Sequence, residues 1–269
     1  MTMNFGISLW SMGKNQIESL MRVSEAGFRY VEMWPEPWRT FEEDLNDLLD
    51  AINVYDVEVY SVHAPFSGLD ISDIDEGIRR MSLQKVLRSL EVAVRLGCTH
   101  FVVHPSARKY GKKEDYEKAK SLLMKSVEAI VKKAEDHGVT MSIENMLAPP
   151  DGFRVGTKVS ELKEIIAALR GGEVGICLDT GHANYNGLEV AEEAKEAGDL
   201  LTALHVNDND GRGDQHMVPG EGTIDWPKFI EALKDVNYNG VFMLEIYGGD
   251  RAEEKLRKSY EAASKLLSI

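Results

Sequence analysis

A chain of 269 residues, 43% of them hydrophobic, is long enough for one large α/β domain or two small ones. Its 45 acidic and 31 basic residues give a formal net charge of −14, which argues against indiscriminate binding to nucleic acids or membranes. No apolar run approaches the roughly 18 residues of a membrane span, and the opening MTMNFGISLW is a poor signal peptide. We therefore expect a cytoplasmic protein.

Short apolar runs alternate with longer amphipathic segments along the whole chain. The segment 79–96 is typical, because Leu83, Leu87, Leu90 and Val94 recur at spacings of three and four, which indicates a helix with one apolar face. In chain order, the runs predict strands at residues 4–10, 30–34, 58–63, 100–104, 140–144, 175–179, 201–206 and 241–246. The segments between them predict helices at residues 16–26, 44–55, 79–96, 115–137, 161–169, 188–197, 226–233 and 252–267.

The alternation of the elements predicts the fold class. Strands that are mostly apolar indicate a parallel sheet whose outer face is covered by helices. Eight strand–helix units in 269 residues average about 34 residues each, close to the roughly 30 that one unit needs. We therefore expect an α/β protein, a (β/α)8 TIM barrel that forms a single domain over residues 1–269. A doubly wound open sheet is the alternative, which the lack of a G-x-G-x-x-G motif after the first strand disfavours.

Polar side chains collect where the predicted strands end, which is the active-site face of such a barrel. Buried carboxylates and imidazoles cannot crowd one cavity without partners or a cation, so we expect a metal centre. With no cysteine at these strand ends, the donor set suits Zn²⁺, Mn²⁺ or Mg²⁺. Glu32, in YVEMW on the second strand, could be structural or functional. The strand-end residues are His63, His104, Glu144, Asp179, His182, His205, Asp208, Asp214, His216 and Glu245.

The stretch LHVNDNDGRGDQHMVPGEGTIDW follows the seventh strand and carries several of these groups. Its glycines at positions 211, 213, 220 and 222 make it too permissive for a helix. We expect this loop to bend over the metal and the substrate.

The ordered motifs HAPF, VVHPS, IEN, CLDTGHAN, HVNDNDG, PGEGTIDW and LEIYG resemble the xylose-isomerase-like barrel superfamily, which includes sugar isomerases and epimerases, inosose-processing enzymes and endonuclease IV. In the sugar enzymes, the resemblance implies one divalent ion held by Glu144, Asp179, His205 and Glu245. In endonuclease IV, it implies three zinc ions held by nine ligands. Their counterparts here are those four residues together with His63, His104, His182, Asp214 and His216.

The residues around these ligands favour the sugar enzymes over endonuclease IV. The chain has NDNDG, LEIYGG and ENMLAPPDGFR where endonuclease IV has NDSK, LETP and ENTAG. The resemblance therefore implies a metal-dependent isomerase or epimerase of a small sugar or sugar phosphate. Its cofactor would be one Mn²⁺, Zn²⁺, Mg²⁺ or Co²⁺ ion. The chain could form a homo-oligomer.

The expected mechanism is proton transfer by Glu144 and Glu245 beside a metal-chelated carbonyl. His182, Arg212 and Trp34 are candidate substrate contacts. The alternative function is an endonuclease IV-like phosphodiesterase acting at abasic sites in DNA, with up to three Zn²⁺ ions. A third possibility is a non-catalytic sugar-binding barrel, which the intact set of strand-end residues disfavours.

Overall fold

Eight parallel strands form an α/β barrel, as the sequence predicts. The computed structural model describes residues 3–12, 15–34, 45–170 and 172–268. The sheet runs in the order β7-β6-β5-β4-β3-β2-β1-β8. β7 and β8 meet at Val206, whose N–H donates to the Met243 carbonyl at 2.8 Å and whose carbonyl accepts from the Glu245 N–H at 3.0 Å. The strands are β1 (Phe5–Ser8), β2 (Tyr30–Met33), β3 (Glu58–His63), β4 (His100–Val103), β5 (Thr140–Glu144), β6 (Val174–Asp179), β7 (Leu201–His205) and β8 (Phe242–Leu244).

The predicted helices are present, with ends that differ by a few residues. Capping explains one such difference, because the Asp75 carboxylate accepts the N–H groups of Gly77 and Ile78 and starts a helix three residues before the predicted position. The predicted start of the second helix, residue 44, lies outside the described residues. The helices are α1 (Gln16–Glu25), α2 (Leu45–Val54), α3 (Glu76–Arg95), α4 (Lys113–Glu135), α5 (Val159–Ala167), α6 (Thr180–Tyr185), α7 (Val190–Ala197), α8 (Trp226–Asp235) and α9 (Ala252–Leu267).

Helix α6 was not predicted from the sequence. With six residues it is too short to show a helical period. It forms because the Asp179 carboxylate, at the end of β6, accepts the His182 N–H at 2.6 Å. Of the helices that the structure describes, none is long and apolar enough to cross a membrane.

The buried apolar residues form two separate clusters, and their positions show where the polar strand ends lie. The main core lies between the strands and the helices and includes the fully buried Phe101, Phe229 and Phe242. A small second cluster of Val102, Cys177 and Ala203 is separate from it. Side chains two positions apart on a strand share one face. The residues two positions after this second cluster, His104, Asp179 and His205, therefore lie directly above it at the carboxyl ends of the strands.

Candidate metal centre

Four imidazoles surround the carboxylate of Glu144, which is buried at the end of β5. Its Oε2 atom lies 3.2 Å from His63 Nε2, 3.3 Å from His104 Nε2 and 3.2 Å from His205 Nδ1. Its Oε1 atom lies 3.3 Å from His182 Nδ1. The four histidines lie at or just after the ends of β3, β4, β6 and β7, so the barrel has brought the predicted residues together around one carboxylate at the end of β5.

We call Glu144, Asp179, His205 and Glu245 the central group. Donor atoms of Asp179, His205 and Glu245 lie within 4.8 Å of one another, and His205 Nδ1 is 3.7 Å from Glu245 Oε2. Asp179 is fixed from several sides. Its Oδ1 caps α6, and its Oδ2 accepts from Asn207 Nδ2 at 3.0 Å. A carboxylate held in this way can present an oxygen to a cation without first losing side-chain entropy.

Two further groups flank the central group. The first flanking group consists of His63 and His104 with the shared Glu144. The second flanking group consists of His182, Asp214 and His216, in which Asp214 Oδ1 lies 3.2 Å from His216 Nε2 and Asp214 Oδ2 lies 3.8 Å from His182 Nε2. His216 has a backbone φ of 44°, in the left-handed region that non-glycine residues seldom adopt. Such strain is common where a side chain must be aimed at a functional site.

In two of the histidines, a hydrogen bond from the outward-facing ring nitrogen determines whether the inward-facing nitrogen carries a hydrogen. Nδ1 of His63 lies 2.6 Å from the Ala64 carbonyl, and Nδ1 of His216 lies 2.9 Å from the Glu245 carbonyl. A backbone carbonyl only accepts, so each of these nitrogens carries the hydrogen. In neutral rings, the inward-facing Nε2 atoms then present lone pairs to carboxylate oxygens, which is repulsive unless a proton or a metal ion lies between them.

His205 provides the sharpest test of whether the residues suit a metal ion. Its Nδ1 atom is buried and has no hydrogen-bond partner among the described residues, although carboxylate oxygens of Glu144 and Glu245 lie 3.2 and 3.7 Å away. A nitrogen close to two carboxylates without a hydrogen bond is the arrangement expected of ligands that share an ion. The residues therefore fit a divalent cation.

Glu32, whose role the sequence leaves open, contacts the other ring nitrogen of His205, Nε2. Its Oε2 atom accepts from Ser61 Oγ at 2.8 Å and lies 3.1 Å from His205 Nε2. This contact places the ring hydrogen on Nε2 and directs Nδ1 toward the central group. Burial raises the pKa of Glu32, but His205 and His63 outweigh that effect and hold the pKa below its ordinary value. Glu32 is therefore an ionised carboxylate that orients a candidate ligand.

Replacement of Glu32 by glutamine is expected to weaken metal binding about 10- to 100-fold, the usual cost of losing a partner of a metal-binding histidine. The amide is neutral, so its oxygen stabilises the ring hydrogen on His205 Nε2 less than a carboxylate does. The measurement is a competition titration of the metal against a chelator of known affinity. Ser61→Ala is the matched control, because it removes one hydrogen bond to Glu32 and leaves its charge. An E32Q variant with unchanged metal affinity would show that Glu32 does not orient His205.

The central group has more negative charge than its one imidazole can balance. Burial raises the pKa of Asp179, and burial together with Glu144 and Asp179 raises the pKa of Glu245. By contrast, burial raises the pKa of Glu144 less than His205 and His104 lower it, so its pKa lies well below its ordinary value. Two carboxylates with raised pKa values mark a position that lacks positive charge, which a divalent ion would supply.

The second flanking group can balance its charges with protons. Burial lowers the pKa of its two histidines, but Asp179 and Asp214 outweigh it at His182 and raise that pKa to about 10. At His216, Asp214 and Glu245 raise the pKa to about 9. The two imidazoles in turn hold the pKa of Asp214 well below its ordinary value, against the effect of burial. Two imidazolium ions and one carboxylate make a stable set at neutral pH, in which a metal ion competes with protons.

The loop between β7 and α8 supplies Asp214 and His216, as predicted, but Asp208 has a different place. Its carboxylate accepts from Trp226 Nε1 at 2.9 Å and from the Gly220 N–H at 2.9 Å. A Cβ at Gly222 would lie 2.2 Å from Asp208 Oδ1, so only glycine fits there. Asp208 therefore organises the base of the loop and is not one of the cation-binding candidates, because its hydrogen bonds turn it toward α8.

Cys177 corrects the expectation that no cysteine lies near the centre. Its sulfur lies within 4.8 Å of donor atoms of Glu144 and His205. Cys177 precedes Asp179 by two residues on β6, so both point into the barrel and the thiol lies one layer below the carboxylate. Burial raises the pKa of the thiol beyond its ordinary range, which keeps it protonated and makes it a poor ligand.

The predicted substrate contacts have different surroundings. Trp34 stacks on Phe66, with ring centroids 6.5 Å apart, and Phe66 stacks on His104 at 4.9 Å. Trp34 is therefore part of an aromatic wall beside the first flanking group. Arg212 has a side chain that is 88% exposed, with its Nε atom 3.7 Å from Asp210 Oδ2. It lies at the surface of the loop, and its contact with a substrate stays a prediction.

Comparisons with known proteins agree with this fold. The family model described as xylose isomerase-like TIM barrel matches residues 20–266. An uncharacterized protein of Methanocaldococcus jannaschii is 30% identical over 91% of this chain and 92% of its own length. A probable endonuclease 4 of Aquifex aeolicus is 27% identical over 86% of each chain. A solved structure of a D-tagatose 3-epimerase-like protein superposes with a TM-score of 0.86 at 26% identity, covering 99% of this chain and 98% of the other.

Proposed function

The chain belongs to the xylose isomerase-like TIM barrel family, and on that premise we propose that it is a divalent-metal-dependent isomerase or epimerase of a small sugar. The observation that carries the proposal is the placement of two carboxylates, Glu144 and Glu245, at the same ring nitrogen of His205, Nδ1, within one buried group. The similarity to a D-tagatose 3-epimerase-like protein supports the same class of reaction.

The central group would hold the ion through Glu144, Asp179, His205 and Glu245. A divalent ion bound there would polarise the substrate carbonyl and acidify the neighbouring C–H group. Glu144 and Glu245 lie on strands that are well separated around the barrel, so they can approach the substrate from two sides. One carboxylate removes the proton from the carbon beside the carbonyl, and the other returns a proton to the neighbouring carbon or to the opposite face. Return to the neighbouring carbon, together with transfer of the hydroxyl proton to the former carbonyl oxygen, gives an isomer, and return to the opposite face of the same carbon gives an epimer.

Several features of the centre help proton transfer between carbons. Glu144, Asp179 and His205 are almost completely shielded from solvent, which strengthens their electrostatic interactions with a bound sugar. His104 and His182 lie beside Glu144 and can donate or accept hydrogen bonds at sugar hydroxyls. Trp34 and Phe66 provide an apolar wall of the kind on which the C–H face of a sugar packs.

Solvent deuterium exchange tests the proposal directly. The protein, supplied with Mn²⁺ or Co²⁺, is incubated in D₂O with a panel of aldoses, ketoses and their phosphate esters. We expect at least one sugar to lose the NMR signal of the C–H group beside its carbonyl and to gain the signals of an isomer or epimer. A non-catalytic sugar-binding barrel would bind a sugar without exchange. Absence of exchange across the panel contradicts the proposal.

The second candidate function is a metal-dependent phosphodiesterase that cleaves DNA at abasic sites. The two flanking groups favour it, because they provide places for additional ions, and the similarity to a probable endonuclease 4 agrees with this. The charge of the protein argues against it. The chain carries a net charge of −14, and lysines beside the β4 and β5 ends pair with acids, as Lys113 does with Glu117 and Lys120 with Glu164. Cleavage of an abasic-site oligonucleotide, with a steep dependence on salt, would establish this candidate instead.

A further inference from the structure

Arg154 is a partly buried cation without a carboxylate partner among the described residues. It lies on the loop between β5 and α5, and within residues 3–12, 15–34, 45–170 and 172–268 the hydrogen bonds of its guanidinium go to backbone carbonyls. Nη2 donates to Ser106 O at 2.8 Å, and Nη1 donates to Leu147 O at a long 3.5 Å. The Nε atom is shielded from solvent and has no hydrogen-bond partner in the part of the chain that the structure describes. A guanidinium offers five N–H donors, so most of its hydrogen-bonding capacity is unused.

An arginine in this position is costly unless it meets an anion. Removing a charge from water without a partner is unfavourable, and carbonyl oxygens offset only part of that cost. Burial accordingly lowers the pKa of Arg154, while the charges of Asp70, Glu144 and Asp214 act in the opposite direction. Glu144 and Asp214 belong to the candidate metal centre. The two carbonyls that Arg154 contacts, those of Ser106 and Leu147, follow His104 and Glu144 by two and three residues, so Arg154 lies beside the centre.

Arg154 also lines a groove of about 410 Å³ between α4 and α5. The lysines on the α4 side of this groove are neutralised by ion pairs, Lys113 with Glu117 at 2.9 Å and Lys120 with Glu164 at 3.0 Å. The groove begins beside the loop that follows Glu144 and is wide enough for a substituent of a sugar. Its other lining residues include Tyr116, Phe153, Lys158 and Ser160, and also Glu161, whose carboxylate accepts from the Gly156 N–H at 2.9 Å.

We propose that Arg154 binds an acidic group, a phosphate or a carboxylate, carried by the substrate of the metal centre, so that the sugar is an anionic one. The inference rests on the proposed sugar isomerase or epimerase function. A planar guanidinium with free donors matches the paired oxygens of either group. In a protein with a net charge of −14, an anionic sugar also needs a cation at the site to offset general repulsion.

The test compares neutral and anionic probes on the metal-loaded protein. Dissociation constants are measured by calorimetry for D-fructose against D-fructose 6-phosphate and for D-glucose against D-glucuronate. The first pair reports on phosphate and the second on carboxylate. We expect one anionic probe to bind about 10- to 100-fold more tightly than its neutral partner, the range typical of hydrogen bonds to charged groups. Arg154→Met should abolish that advantage.

Arg108→Met is the matched control. Arg108 lies on the neighbouring loop, its side chain is 54% exposed, and it pairs with Asp73 at 3.2 Å. The advantage of the anionic probe should persist in R108M. If R154M and R108M lose the preference for the anionic probe to the same extent, the preference reflects the overall charge of this face and not a contact with Arg154, which overturns the proposal. If R154M does not fold, R154K is measured in its place. Lysine lacks the planar guanidinium, so the preference for the anionic probe should fall at least about threefold. An unchanged preference in R154K overturns the proposal.

The outcomes separate this inference from the proposed function. Deuterium exchange with neutral sugars, without an Arg154-dependent preference for either anionic probe, would overturn the role of Arg154 and leave the sugar enzyme in place. An Arg154-dependent preference without exchange in any sugar would support the anion site and reject the isomerase or epimerase. A wild-type protein that does not distinguish neutral from anionic probes overturns the inference.

Discussion

A Glu144→Gln variant is expected to lose about 10²- to 10⁴-fold in turnover, the range typical of a missing acid–base group. It should also bind its metal more weakly. Glu144 Oε2 is the atom on which His63, His104 and His205 converge, at 3.2 to 3.3 Å. A neutral amide cannot accept a proton from carbon, and its NH₂ group would face at least one of the imidazoles. The substitution therefore removes a base and a ligand together.

The measurements are the rate of deuterium exchange and the metal content by elemental mass spectrometry. Glu58→Gln is the matched control, because Glu58 is exposed at the start of β3, at the opposite end of the barrel. E58Q should keep full turnover and metal content. An E144Q variant with the turnover and metal content of the wild type would reject both roles of Glu144.

The fold was predictable because each strand is a short, mostly apolar run. In β6, for example, all six residues are buried, which a strand covered on both faces requires. The ends of the elements were less predictable, because they depend on single hydrogen bonds. His104 and Glu245 lie just beyond β4 and β8, although both were expected within the strands. Helix α6 depends in the same way on one cap by Asp179.

The candidate ligands were predictable because barrel topology brings strand ends together, whatever the distance along the chain. Their supporting residues were not. Glu32 and His205 are 173 positions apart, and no local pattern links them. Asp208 is of a residue type that binds metal ions, yet its carboxylate accepts hydrogen bonds from Trp226 Nε1 and from the Gly220 N–H of the loop. Arg154 appears in sequence as an ordinary loop residue. Its lack of a carboxylate partner among the residues that the structure describes is a property of three-dimensional packing alone.

Metal content should depend on pH in a way that separates the two candidate functions. The central group has three carboxylates and one imidazole, so a divalent ion is its natural counter-charge. The second flanking group has two imidazoles and one carboxylate. Because their pKa values are raised to about 10 and about 9, His182 and His216 are protonated at neutral pH. A metal ion must displace both protons, so its apparent affinity there should rise up to about 100-fold per pH unit below pH 9.

We therefore expect dialysis against buffered Zn²⁺ to leave about one ion per chain at pH 6.5 and additional ions at pH 8.5. A His63→Ala, His216→Ala double variant removes one ligand from each flanking group and should hold one ion at both pH values. Metal content rises with pH because the pKa values of His182 and His216 are raised, so that protons displace the metal from these imidazoles at low pH. Two or three ions in the wild type at pH 6.5, reduced in the double variant, would mean that the flanking groups bind metal in competition with protons even when protons are abundant. That arrangement would suit phosphodiester cleavage better than proton transfer in a sugar, and an abasic-site oligonucleotide would then be the first substrate to assay.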